Sequence, residues 1–241
     1  MPAAGRGQRL GADLPKQYLR LAERTLLEWA LLPFVEDAAC RGIVVALAAG
    51  DAHWPAVRSR LSKTVIEAPG GAERSDSVRQ ALETLRASGA EETDWVLVHD
   101  AARPCVTAAE ISALRHGVAR AESATSALAG GLLALPLADT LKRGGVQAAA
   151  VLSTETVPRE GLWRALTPQM FRLGALLSAL RASSAAGRIP TDEAQAMEWI
   201  GAMPRLVVGE STNLKVTTAA DLGLAEGILR ARMKTSGAGA G

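Results

Sequence analysis

Cysteine and histidine are scarce in this sequence, and that scarcity removes several kinds of chemistry. The two cysteines, Cys40 and Cys105, share no repeated spacing, so neither a disulfide framework nor a zinc site is expected. The three histidines, His53, His99 and His116, lie far apart and none stands in an HxxxH pattern. A histidine-built metal centre is therefore not expected. No apolar run reaches the roughly 18–20 residues of a membrane span, and the first residues lack the charged-then-apolar profile of a signal peptide. An excess of one charge is missing too. Lys and Arg total 27 against 25 Asp and Glu, a formal +2, so neither nucleic acid nor a membrane is expected as a bulk partner. Together these absences point to a reducing cytoplasm. Internal repeats and interdomain linkers are also missing.

What is present is core-forming sequence. Of 241 residues, 48% are hydrophobic, enough for one α/β domain without metals or cross-links. Short apolar, β-branched runs at 42–48, 64–68, 95–99 and 206–208 read as strands buried on both faces. Helical patterns lie between them, opened by Thr25-x-x-Glu28, Thr107-x-x-Glu110 and Thr218-x-x-Asp221, each shaped like a capping box. The alternation predicts a Rossmann-like, mostly parallel α/β sheet, whose ligands sit beyond the carboxyl ends of the strands. Residues 126–157 interrupt it and read as a hairpin turning at Arg143-Gly144-Gly145, an arm suited to meeting a partner. The expected domain covers 1–232, with the arm at about 138–159. Residues 233–241 are small and polar and read as a disordered tail.

Five segments have the composition of a ligand site. In PAAGRGQR (2–9), followed by Pro15-Lys16-Gln17, two glycines and flanking alanines allow backbone N–H groups to approach an anion. It is neither a Walker A loop nor a dinucleotide fingerprint, since no GK[ST] follows and Leu10 occupies the third glycine position. Arg9 and Lys16 could meet a triphosphate from different sides; a plain glycine loop with surface cations would look the same. In VLVHDAARP (96–104), Asp100 follows a buried strand at the rim, a suitable place to hold Mg²⁺. Arg103 could answer a second phosphate, and His99 reads as structural. In GGAERSDSV (70–78), Gly71 and Ser77 either read a base edge or cap a helix. In IPTDEA (189–194), Thr191 is a natural N-cap, with Asp192 and Glu193 favouring the helix dipole. Lys215, in NLKVT (213–217), is either a ligand or a solvated surface cation.

Taken together and in this order, these segments resemble the 2-C-methyl-D-erythritol 4-phosphate cytidylyltransferases over nearly the whole chain, from Pro2 to about Leu229. ADTLKR (138–143) and LTPQ (166–169) add to the likeness. The resemblance implies transfer of CMP from CTP to a polyol phosphate, with Mg²⁺ as cofactor and release of pyrophosphate. It implies that Ala3, Ala4, Gly71 and Ser77 form the cytosine pocket. Gly5, Gly7, Arg9 and Lys16 would hold the triphosphate, and Asp100 the metal. Arg103, Thr140, Arg159, Thr191 and Lys215 would position methylerythritol phosphate. It further implies a homodimer in which the arm carries Thr140 and Arg159 into the neighbouring site.

Two departures from the family pattern stand out. Its members have a hydrophobic strand before PAAG, where this sequence has Met1-Pro2, so either a start upstream of Met1 or a markedly unstable protein is expected. Thr212 stands where some relatives carry an acid, so no second metal ligand is assigned there. The alternatives are a cytidylyltransferase for another polyol phosphate, such as ribitol 5-phosphate, and a non-catalytic CTP-binding protein.

Overall fold

A computed structural model describes residues 1–5, 14–122, 129–147 and 149–238. Gly7 and Arg9 lie outside the described residues. The short pair β1 (Arg20–Leu21) and β2 (Arg24–Thr25) leads into α1 (Leu26–Glu36). The Thr25 hydroxyl accepts the Glu28 N–H at 3.2 Å while the Glu28 carboxylate accepts the Thr25 N–H at 2.7 Å, the reciprocal pair that the sequence pattern predicts. There follow β3 (Ile43–Leu47), α2 (Trp54–Arg58), β4 (Val65–Pro69), α3 (Arg74–Ala87), β5 (Trp95–Val98) and α4 (Ala108–Glu122). The arm comes next, between β6 (Gly131–Pro136) and the long β9 (Trp163–Arg172), and consists of β7 (Leu141–Gln147) and β8 (Ala150–Val157). Helices α5 (Leu173–Ala185) and α6 (Glu193–Glu198), strand β10 (Arg205–Val208) and α7 (Ala219–Ala238) complete the order.

All five residues of β3 are buried, because helices cover both of its faces. Val44 and Ala46 pack with Ala81 of α3, while Ile43, Val45 and Leu47 pack with Leu27, Leu31 and Phe34 of α1. The same division holds at β5. Val96 and Val98 face α3 and α5, and Leu97 joins Leu114 and Val118 of α4. Fully burying one such Leu or Val contributes about 1.5–3 kcal/mol, so this two-sided burial is what holds the rim in place.

The α/β expectation holds, with a refinement to the sheet. Strands β3 and β4 pair in parallel. The larger sheet has the order β10-β6-β9-β5 and is mixed, since β9 runs antiparallel to both β6 and β5. Its direction follows from the chain path, because β9 returns from the arm that β6 enters. β3 and β5 belong to separate sheets and line opposite parts of a largely apolar cavity of about 530 Å³. Beside it, the N-terminal group of Met1 donates to the Val44 carbonyl at 2.6 Å, and Pro2 bridges to Ala46 in parallel fashion.

Two sequence expectations need correction. The hairpin does not turn at Arg143-Gly144-Gly145, which lies inside β7. A register shift between Arg143 and Gly144 marks an irregularity there, and the true turn follows Gln147, which pairs with Ala150. Ala149 supplies the left-handed residue of that turn, at φ 66°. The proposed tail also begins too early, because α7 continues past Arg232 to Ala238. Met233 and Lys234 are good helix formers, which a purely compositional reading overlooks. Among the described residues, no helix is long and apolar enough to cross a membrane.

Candidate active site

The site grows from the end of β5. His99 is 1% exposed, and burial pushes its imidazole down to about 4. A neutral ring is consistent with both of its contacts. Nε2–H donates to the Arg103 carbonyl at 3.1 Å, and Nδ1 accepts the Thr167 hydroxyl at 2.9 Å. The Thr167 oxygen in turn accepts the Asp100 backbone N–H at 3.1 Å. His99 thus holds the rim in place, and both of its nitrogens are occupied.

Asp100 is buried yet ionised. Burial disfavours its charge, but Arg74 and Lys215 outweigh that and hold the carboxyl well below the usual carboxylate range. Oδ1 receives Arg74 Nε at 2.9 Å and Nη2 at 2.8 Å, and Oδ2 receives Lys215 Nζ at 2.9 Å. Arg103 Nε lies 3.9 Å from Oδ2 without a hydrogen bond.

The loop bearing Lys215 is anchored by Asn213, which is fully buried. Its Nδ2 donates to the Thr167 carbonyl at 2.9 Å and to Glu110 Oε1 at 3.2 Å. Glu110 is itself fixed by its capping exchange with Thr107. From the other side Lys16 Nζ reaches the Val216 carbonyl at 3.3 Å. The two lysines therefore flank one cleft.

Its opposite wall is the turn after β4. The Ser77 hydroxyl accepts the Gly71 N–H at 3.0 Å, tying the turn to the first part of α3. A side chain at Gly71 would collide with Asp76, and one at Gly70 with Ala4, so glycine is required here for close approach. The resulting cleft, of about 230 Å³, is lined by Ala3, Ala4, Gly5, Lys16, Gly71, Ser77, Asp100 and Lys215 among others. It is smaller than the apolar cavity between the sheets, but it gathers Lys16, Asp100 and Lys215 around one space. Charge and convergence, not volume, identify the site.

Four expected substrate residues are placed otherwise. Arg103 is buried with its guanidinium on the carbonyls of Asn213, at 2.8 Å, and Ala165, at 3.4 Å, so here it braces loops. Thr140 and Arg159 are exposed at the base of the arm, where Arg159 donates to the Ala138 carbonyl, and neither lines the cleft. Thr191 is exposed and is not the cap of α6. Asp192 takes that place, accepting the Gln195 N–H at 2.9 Å, because its carboxylate both complements the helix dipole and is held by Gln169 at 3.0 Å.

Sequence reasoning missed Arg74 and Glu193. Both lie in segments singled out above, GGAERSDSV and TDEA, but nothing local reveals that they meet. Arg74 Nη1 and Nη2 grip the two Glu193 oxygens at 2.6 and 3.1 Å. Among the described residues no group of three His, Cys, Asp or Glu could hold a metal ion. A single hard carboxylate at a cleft still suits Mg²⁺, which binds through one or two carboxylates plus substrate phosphates.

An α/β sheet with a cation-flanked carboxylate beyond its strands, facing a glycine turn, is suited to a phosphorylated ligand, and likeness to known proteins makes the class a nucleotidyltransferase. The sequence profile of the 2-C-methyl-D-erythritol 4-phosphate cytidylyltransferase family matches residues 1–231. Enzymes of that name from Pseudomonas fluorescens SBW25 and Pseudomonas aeruginosa UCBPP-PA14 are each 49% identical over 222 residues, covering 92% of this chain and 91% of theirs. Among solved structures, a 4-diphosphocytidyl-2C-methyl-D-erythritol synthase superposes with a TM-score of 0.78 at 36% identity, over 95% of both chains. The Francisella tularensis 2-C-methyl-D-erythritol 4-phosphate cytidylyltransferase gives 0.77 at 33%, over 94% of this chain and 96% of that one. The chain belongs to the 2-C-methyl-D-erythritol 4-phosphate cytidylyltransferase family, and its fold is the Rossmann-like α/β fold of those structures.

Proposed function

We infer that this chain transfers CMP from CTP to the phosphate of 2-C-methyl-D-erythritol 4-phosphate, a step of non-mevalonate isoprenoid precursor synthesis. The observation that carries the reading is the convergence of Lys16, Lys215 and Asp100 on one cleft, within a chain of this family. A phosphate monoester has a second pKa near ~6 and is mostly dianionic at neutral pH, so it is already a nucleophile. One of its oxygens bonds to the α-phosphorus of CTP, the bond from that phosphorus to the bridging oxygen breaks, and pyrophosphate leaves with the electron pair. No proton need be removed, which agrees with His99 being walled in. The obstacle is repulsion between anions. Lys16 and Lys215, with Arg9 of the PAAGRGQR segment, would offset it and align the reactants. Held by Asp100 and nucleotide phosphates, Mg²⁺ would supply further charge neutralisation at the reacting phosphate.

The same proposal includes a homodimer with exchanged arms, in which Thr140 and Arg159 reach a neighbour's substrate. Support comes from the arm itself. β7 and β8 pair only with each other among the described residues, and Val146 and Val151 are 78% and 75% exposed. An isolated two-stranded ribbon is marginal in water, and a partner surface would stabilise it. A cytoplasmic location is also proposed, supported by cysteines that form no disulfide.

The direct test is pyrophosphate release from CTP and methylerythritol phosphate with Mg²⁺, run beside ribitol 5-phosphate. Turnover with the first and little with the second is expected. A preference for ribitol 5-phosphate, or CTP binding without turnover, would overturn the reading.

A further inference from the structure

The contacts of Asp100 raise a question of competition. Both of its carboxylate oxygens are already engaged, Oδ1 by Arg74 and Oδ2 by Lys215. A divalent cation ligating Asp100 must therefore contend with two side-chain cations. The two differ in how they are held. Lys215 is 42% exposed on a flexible stem, free to follow a phosphate. Arg74 is gripped from its far side by Glu193, itself 1% exposed, through two hydrogen bonds. Glu193 is immobilised as well, since Gln169 on β9 accepts the Ala194 N–H at 2.8 Å and donates to Asp192, fixing the first turn of α6.

We propose that Arg74 is a positioning residue whose single charge is divided between Asp100 and Glu193, and that Glu193 thereby sets how strongly Asp100 attracts a divalent cation. The inference rests on the reading of Asp100 as the metal's protein ligand. The physical basis is that a guanidinium has one positive charge and five donors in a fixed fork. With the Glu193 carboxylate bonded to its far side, much of Arg74's charge is answered at a distance from the cleft. Without that carboxylate, Asp100 alone answers it, and the Arg74–Asp100 attraction tightens in a partly desolvated place where Coulomb terms are large. Arg74 also keeps two bonds to Glu193 when Asp100 turns toward a metal, so it stays in position and leaves no buried charge unpaired.

The consequence is a pair of effects with opposite signs, which a purely structural role would not produce. Glu193→Gln concentrates Arg74 on Asp100 and weakens metal binding. The double change Arg74→Met with Glu193→Gln removes one charge of each sign, frees Oδ1 from its competitor and strengthens metal binding. Glu193→Asp keeps the charge and should stay near wild type.

The experiment measures Mn²⁺ binding by water-proton relaxation, using protein saturated with a CTP analogue bearing a methylene bridge between the α- and β-phosphates. We expect Kd to rise about tenfold in Glu193→Gln and to fall about tenfold in the double variant, a change of about 1.4 kcal/mol each way. Shifts in the same direction for both, or no shift in either, would overturn the inference. Thermal melts accompany each variant. If Glu193→Gln does not fold, the double variant decides, and affinity equal to or weaker than wild type refutes the proposal. Asp100→Asn separates the two layers. If it leaves Mn²⁺ binding unchanged, the metal reading of Asp100 fails and this inference with it. If it abolishes binding while the other variants move together, only the inference fails.

Discussion

The Thr167 hydroxyl lies 2.9 Å from His99 Nδ1, and the same oxygen accepts the N–H of Asp100. A buried neutral imidazole thereby orients the peptide unit that bears the rim carboxylate. Strand β9 is in this way coupled to the end of β5 at the point where the site begins.

That coupling predicts a pH dependence of stability. Burial lowers His99 to about 4, against about 6.5 in an unfolded chain. As pH falls from about 6.5 toward 4, the unfolded state binds a proton that the native state refuses. Stability is thus full above the unfolded pKa and declines through that window, by at most about 3 kcal/mol. Other groups, exposed carboxylates among them, also titrate as the pH falls toward 4. The His99 share is therefore read as a difference. Urea midpoints at pH 7 and 4.5 should separate less in His99→Gln than in wild type, and equal separations would exclude this role.

Lys16→Ala and Lys215→Ala should lower kcat by about 10²–10³-fold, the scale observed for single donors that act on a developing charge. Both flank the cleft, and neither is needed to fill the core. Steady-state kinetics at saturating CTP check this, and near-normal kcat in both would remove them from catalysis.

Asn213→Ala should cost about 1–3 kcal/mol, because it strands the buried Thr167 carbonyl and one Glu110 oxygen contact. Turnover should fall as well, since the loop holding Lys215 loses its anchor. Denaturant midpoint and kcat are measured together, and a stable variant with unaltered turnover would contradict the anchoring role.

Arm exchange predicts subunit complementation. Inactive Arg159→Ala and inactive Lys16→Ala, mixed under conditions of subunit exchange, should regain activity. If Arg159 acts on the neighbour, one site of each heterodimer bears both defects and the other neither. If Arg159 serves its own subunit, every site retains a defect and the mixture stays inactive.

Much of the local structure was legible because its causes are local. The boxes at Thr25/Glu28, Thr107/Glu110 and Thr218/Asp221 all form, since three residues of separation brings their groups together in any helix start. The fully buried β3 was legible for a similar reason, as an uninterrupted β-branched run suits few other environments, whereas the run at 206–208, expected to be buried on both faces, is the largely exposed edge strand β10. Near misses arose where two local choices competed, as when Asp192 displaced Thr191 at the cap of α6.

The sequence by itself determined the α/β alternation, the glycine turn at Gly70-Gly71 and the position of Asp100 at a strand end. Only the tertiary structure decided that β9 runs against both neighbours and that Arg103 braces carbonyls. It alone joined Arg74 to Glu193, 119 residues away. The reason is physical. Capping and burial preferences act within a few residues, whereas an ion pair depends on which chain ends the packed sheet brings side by side, and no spacing in the sequence encodes that distance.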